Sequence, residues 1–400
     1  MTTQQAERRV RVQRLIDRAA LFHVFVSPDG GGAVATRDRS GAIIGIDGDE
    51  AVHRFEMELD PRLVDRPLGI NTVGEQIGRA SLRWSIVPEP YVARPDRVPP
   101  PTPLEPSLSQ RFMIQDTTVH LGGRGDGFRV FGVGRTFPMW TGSRGSLWAA
   151  AVANVVEGFG VFSGCAGNLT ICGDLSPDRG FVGHMIVRIL DPEGGLRVDR
   201  EPPPPERGHR ADPDSTYLTW VGQKAAGGGQ DNSASLTPSG EVRGFNIPVD
   251  LKRVWVGLDS TAEGIRARHL RTGDVIGLEV GFGREPLART SQSGTALFPN
   301  RFEGVAKYTI YGPGRCVVGT VTTNVLEGRS FSVTYPGAPE EPGLRFGFFA
   351  PVVDGTGCFD GVRGILYGAA GSVLAPPPFE HLISNLYVLR LMDRDGRFRS

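Results

Sequence analysis

The chain has 400 residues, with 44 basic and 44 acidic side chains, so its formal net charge is zero. No basic excess meets a phosphate backbone, which argues against nucleic-acid binding, and no run reaches the ~18 apolar residues of a membrane-spanning helix. Glycine (55) and proline (31) together far exceed the roughly 12% usual for the pair, and this predicts many turns between short strands.

Residues Met1–Arg18 are polar and lack an apolar segment, so no secretory signal and a soluble, cytoplasmic protein are expected. Within and just beyond that stretch, Gln4–Ala20 has the spacing of an amphipathic helix. Phe55, Met57 and Leu59 then alternate with Glu56, Glu58 and Asp60, the period of a strand. Arg94–Pro106 is proline-rich and reads as a long exposed loop. A strand follows at Phe128–Val133, a second helical stretch at Ser146–Val156, and a strand at Met185–Leu190. Glu201–Asp214 holds Pro202, Pro203, Pro204 and Pro205 among charges and forms a stiff polar spacer. Beyond it, strand patterns recur at Val254–Leu258, Val305–Tyr311, Cys316–Val321 and Leu386–Met392.

The chain also repeats itself. Gly30–Gly32 recur as Gly227–Gly229 at an offset of 197. Arg54, Leu59, Asp60, Gly74, Ile77 and Gly78 recur as Arg253, Leu258, Asp259, Gly273, Ile276 and Gly277 at 199. Gly125, Gly127 and Gly132 meet Gly312, Gly314 and Gly319 at 187. Gly160, Phe162, Gly164, Gly167 and Leu169 meet Gly357, Phe359, Gly361, Gly364 and Leu366 at 197, and Arg188 and Asp191 meet Arg390 and Asp393 at 202. Collinear blocks with drifting offsets are the mark of a duplication with loop insertions. The expected architecture is therefore all-β: two tandem antiparallel β-barrels, one in residues 1–200 and one in residues 215–400, joined by a linker over 201–214.

In the second copy, Thr272-Gly273-Asp274-Val275-Ile276, Phe302-Glu303-Gly304-Val305-Ala306-Lys307-Tyr308 and the glycine hairpin Gly355-Thr356-Gly357-Cys358-Phe359-Asp360-Gly361-Val362-Arg363-Gly364 resemble the allene oxide cyclase and dirigent-protein barrels. The resemblance covers about 250–396 and, through the repeat, about 52–197. It implies a closed barrel holding an apolar ligand, and either a cofactor-independent cyclase or isomerase of secondary metabolism or a non-catalytic dirigent-like or lipid-binding holder. Similar barrels close polyketide rings by cycloaddition, and allene oxide cyclases carry a lumen glutamate on the first barrel strand. That implies a catalytic role for Glu56 or Glu58, with Trp255 at the position matching Glu56.

The residues themselves leave a second arrangement open, in which Phe55, Met57 and Leu59 face the lumen and the acids face solvent. Phe128, Phe131 and Ile186 are expected to bound the first cavity, with Trp255, Tyr308, Tyr311 and Asn324 as substrate-binding candidates in the second copy. Cys165, Cys172, Cys316 and Cys358 form no paired motif and the seven histidines no ligand spacing, so no metal and no other cofactor is expected. His184 reads as a structural histidine, and Asn168-Leu169-Thr170 as a glycosylation sequon in spelling only. The partner expected is a hydrophobic small molecule, with no nucleic acid and no membrane span; a homo-oligomer is compatible with these features.

Overall fold

The computed structural model describes residues 19–28, 32–59, 69–88, 111–122, 125–138, 147–176, 180–191, 195–198, 215–224, 233–236, 242–255, 258–261, 264–268, 271–284, 300–335, 338–374 and 381–392. The linker over 201–214, the loop at 94–106 and the helix expected from Gln4 fall outside them, except that Ala19 and Ala20 begin a strand.

Two closed eight-stranded antiparallel barrels make up the chain. Barrel one runs β1 (Ala19–Ser27), β3 (Ile43–Leu59), β4 (Gly69–Pro88), β5 (Arg111–Leu121), β6 (Asp126–Pro138), β7 (Leu147–Phe159), β8 (Gly167–Ser176) and β9 (Gly180–Leu190). β9 pairs back onto β1 to close it, and the short β2 (Val34–Arg37) lies along β3. β10 (Arg197–Val198) leads out of it. Barrel two repeats the order in β11 (Ser215–Lys224), β13 (Val242–Trp255), β16 (Arg271–Arg284), β17 (Asn300–Tyr311), β18 (Val317–Tyr335), β19 (Ala338–Gly357), β20 (Gly364–Leu374) and β21 (His381–Met392). β21 closes on β11, and β12 (Ser233–Leu236) lies along β13 as β2 lies along β3. The hairpin of β14 (Leu258–Thr261) and β15 (Gly264–Arg268) joins β10 in a small separate sheet.

Strand registers give the equivalence residue by residue. Val24 lies opposite Arg54 and Met185; Trp220 lies opposite Arg253 and Tyr387. Gly78 faces Val52 as Gly277 faces Leu251. The block at offset 187 is the exception. Phe128 lies opposite Gly158 and Val321 opposite Gly355, so β6 corresponds to β18 at an offset of 193. Gly125 and Gly314 are alike only as turn residues with positive φ. Each barrel is sealed at one end by the same device: Phe162 and Phe359, in the turns after β7 and β19, are buried against the lumen. A Cβ at Gly158 would strike the Phe162 carbonyl oxygen, and one at Gly355 the Phe359 carbonyl oxygen, so the close turn requires glycine at both repeat positions.

The barrels pack side by side through equivalent outer faces. Leu21, Ala150, Cys172 and Ile186 of barrel one meet Tyr217, Phe349, Ala369, Leu386 and Val388 of barrel two in one buried cluster. By the registers, Leu21 is the repeat partner of Tyr217, Cys172 of Ala369 and Ile186 of Val388, so the contact is isologous in kind, like a two-fold dimer built within one chain. Polar bonds pin it. The Thr170 hydroxyl donates to the Gly368 carbonyl oxygen (2.8 Å), His184 Nε2 lies 2.8 Å from the Tyr217 hydroxyl, and Arg390 grips Asp174 with two nitrogens at 3.1 and 3.2 Å. Asn168, the first residue of the sequon, is wholly buried. Burial of His23 and His184 holds both imidazoles neutral, His23 down at about 3.

The seam explains a failure of sequence patterning. Leu147–Val156 is strand β7, not a helix, because it is buried on both faces, by the lumen and by barrel two. A strand covered on both sides reads as a continuous apolar run without period two. Ile186 likewise faces the seam and not the lumen. A fully buried isoleucine is worth roughly 1.5–3 kcal/mol over an exposed one, so a charge in its place is costly. Residues 1–200 and 201–400, co-expressed as two chains, are expected to co-elute as a 1:1 complex at the size of the intact protein. Ile186→Asp in the first is expected to make them elute apart on gel filtration.

Candidate functional site

Lumen-facing residues alternate along each strand, and in barrel one they are mostly apolar. Phe22, Phe128 and Phe162 form a three-ring cluster with centroids 5.5–6.3 Å apart that fills the sealed end. Phe128 therefore lines the lumen, as the sequence predicts, but as packing. Phe131 does not line it: Asp116 and Asn154 are its cross-strand partners on the outer face, where it is half-buried. Glu56 and Glu58 sit on β3 opposite Thr72 and Ile70, and their side chains lie outside the described residues, as does that of Trp255. Phe55, one residue earlier, points out of the barrel, where it packs on Phe25 and Val73.

The corresponding layer of barrel two is different. Glu279 on β16 lies directly opposite Tyr308 on β17, and the Tyr308 hydroxyl donates to its Oε1 at 3.3 Å. Tyr387 on β21 bonds to the same carboxyl. Trp220 on β11 closes the ring, its indole 5.6 Å from the Tyr308 ring and stacked on Tyr387 at 5.8 Å and 22°. Phe348 on β19 packs on Tyr387 at 5.6 Å. Beneath this layer Leu218, Ile310, Val321, Leu366, Leu389 and Phe359 make an apolar floor.

Burial pushes the Glu279 carboxyl up to about 7, against the two tyrosine hydrogen bonds, which favour its ionised form. Tyr308 is held well above its ordinary value by burial and by the neighbouring Glu279, so it stays a neutral phenol. Glu279 Oε2 and Trp220 Nε1 are buried and meet no hydrogen-bond partner among the described residues. A buried donor or acceptor left unmet costs roughly 1–3 kcal/mol.

The duplication shows what this layer replaces. The registers equate Glu279 with Ala80, Tyr308 with Val119, Tyr387 with Met185, Trp220 with Val24 and Phe348 with Ala151, all apolar and buried in barrel one. A barrel of this design closes with alanine, valine and methionine at those positions. Its carboxyl, phenols and indole in barrel two are therefore not a requirement of the fold.

Of the other candidates, Tyr308 is in this site, whereas Tyr311 and Asn324 are half-buried and flank lumen residues without joining it. Glu279 went unseen because β16 inverts the usual pattern: Gly277 and Glu279 share the inner face, while Leu278 beside them is only half-buried. The repeat offset of 199, which lands Glu279 on the lumen position of Ala80, is the sequence signal that finds it. No disulfide joins the four cysteines, and burial at the seam pushes the Cys172 thiol up to about 12. Among the described residues no group of three His, Cys, Asp or Glu could hold a metal ion, and no helix is long and apolar enough to cross a membrane.

No family model matches the chain, and no curated protein matches it.

Barrel one also places an acid on this level of its lumen. Glu50 on β3 lies opposite Ala80, the same cross-strand rung that in barrel two holds Val249 and Glu279. Each lumen thus has a carboxyl on one shared rung, contributed by opposite strands. Burial raises Glu50 to about 8. Both carboxyls bind their proton more tightly in the folded state than in the unfolded chain. Their contribution to stability is full below about pH 4.5 and is lost as pH rises, through about 7 for Glu279 and about 8 for Glu50. Each group gives a slope of at most about 1.4 kcal/mol per pH unit. Glu50→Gln is expected to flatten the fall in stability between pH 4.5 and 8, and Glu279→Gln that between 4.5 and 7, in denaturant titrations across that range.

Proposed function

We propose that barrel two is the active barrel of a cofactor-independent cyclase or isomerase acting on an apolar, unsaturated small molecule, with Glu279 as its acid–base group. One observation carries the reading: a carboxyl near pH 7, two phenols and an indole stand where the duplicate barrel has only apolar side chains. A carboxyl poised near neutrality both gives and takes a proton. Tyr308 and Tyr387 orient it, and the Trp220 N–H offers a hydrogen bond to a substrate oxygen. Trp220, Tyr387 and Phe348 provide flat walls that hold an unsaturated chain folded, and restriction of conformers supplies much of the rate in such ring closures. Glu279 donates its proton to, or hydrogen-bonds, a substrate oxygen as charge develops there. It recovers the proton when the ring has closed, so substrate and product have the same composition. The lack of a disulfide among four cysteines fits a reducing, cytoplasmic setting.

The test is incubation of the purified chain with a panel of linear polyene and dienone compounds. Turnover is expected to remove conjugated ultraviolet absorbance without changing the molecular mass. Glu279→Gln is expected to lower kcat by about 10²-fold or more with KM little changed, the usual scale for such groups; Tyr308→Phe is expected to lower it less. A panel member that binds and is returned unchanged by the wild type would favour the holder reading over catalysis.

A further inference from the structure

Gln115 on β5 is wholly buried, and among the described residues neither its amide oxygen nor its amide nitrogen meets a hydrogen-bond partner. Its cross-strand neighbours are Trp84 on β4 and Gly132 on β6, so it points into the lumen of barrel one. Trp84 does not help: its indole N–H is spent on the Thr117 hydroxyl at 3.0 Å. Thr136, further along β6 on the same face, is also wholly buried with its hydroxyl unmet. The wall beside these groups is made of Gly132, Gly134, Ala149 and Ala151, none with a side chain longer than a methyl. At the rim, one oxygen of Glu50 accepts the Phe181 N–H at 2.8 Å, a donor left over because β1 ends at Ser27. The other Glu50 oxygen is buried and unmet. Phe181 in turn packs edge-on against Trp84 at 4.9 Å, which links the rim to the Gln115 level.

We propose that the lumen of barrel one is a second binding site, built on Gln115, Thr136 and Glu50, for a small neutral planar ligand that presents a hydrogen-bond donor and acceptor side by side, as a lactam or carboxamide does. A primary amide has two donors and an acceptor with two lone pairs, and a lactam is its reciprocal partner through two parallel bonds. A neutral ligand suits a lumen whose polar groups on this face, the Gln115 amide and the Thr136 hydroxyl, are uncharged, and burial of Glu50 favours its protonated form, which offers a further donor. Trp84 flanks Gln115 on one side and the glycine–alanine wall on the other. The site is distinct from that of barrel two and does not depend on the activity proposed there.

The probe is 2-pyridone, a planar lactam, with N-methyl-2-pyridone as the analogue lacking the donor. Both are titrated by calorimetry into the full chain at pH 7. Saturable binding of 2-pyridone is expected, with the N-methyl compound at least tenfold weaker. Gln115→Met, close in shape but without the amide, is expected to weaken 2-pyridone at least tenfold while keeping the melting temperature. If that variant does not fold, Gln115→Leu, which also lacks the amide donor and acceptor, carries the same comparison. No saturable binding, equal affinity for the two probes, or unchanged affinity in the Gln115 variants would each overturn the proposal. So would loss of binding in Glu279→Gln with Gln115→Met unaffected, since that would place the probe in barrel two.

Discussion

The seam between the barrels is the constraint on which the rest depends. Each barrel alone would present an outer face bearing Ile186, Cys172 and Leu21, or Val388, Ala369 and Tyr217, and those faces are satisfied only by each other. Because the faces are repeat partners, the docking has the logic of a homodimer interface, and carrying both copies on one chain raises their effective concentration. Its polar bonds give direction to an otherwise slippery apolar contact. Thr170 on Gly368, His184 on Tyr217 and Arg390 on Asp174 fix which rungs of one barrel meet which of the other.

Duplication also frees one copy to diverge. Barrel one has the apolar Val24–Ala80–Val119–Ala151–Met185 layer. Barrel two has Trp220, Glu279, Tyr308, Phe348 and Tyr387 at those positions. The polar layer is costly in stability, since a carboxyl moved out of water has a raised pKa and one of its oxygens meets no partner among the described residues. Costs of that kind are ordinarily retained at functional sites.

Glu50 and Glu279 share a rung yet come from different strands, Glu50 from β3 and Glu279 from β16, the counterpart of β4. Directly opposed residues in an antiparallel pair point the same way, so either strand can supply a carboxyl to one point in space. Their settings then diverge. Glu50 spends one oxygen on a backbone N–H at the rim, which ties it to barrel closure, whereas Glu279 is held by two phenols inside an aromatic ring. The second arrangement orients the carboxyl without anchoring it to the backbone.

The all-β class, the duplication and its two barrels were legible in the sequence, because turn glycines and repeat offsets are local features that survive without knowledge of partners. The glycines at 158 and 355 and the phenylalanines at 162 and 359 announce one turn made twice. Strand β7 was not legible as a strand, since burial by a second barrel erases the alternation on which the reading depends. Ile186 reads as a lumen residue for the same reason: an apolar side chain does not say which of two apolar surroundings it enters. Phe131 reads so on its apolar character alone, and it lies half-buried beside Asp116 and Asn154. Glu279 was hidden because a glutamate beside a half-buried leucine reads as an outward residue, and only the registers of β16 against β13 and β17 turn it inward. Sequence by itself determined the number and kind of units. Tertiary structure alone decided which faces are inside, because facing is a property of partners well beyond the local sequence, 29 residues away for Glu279 and Tyr308 and 198 for Thr170 and Gly368.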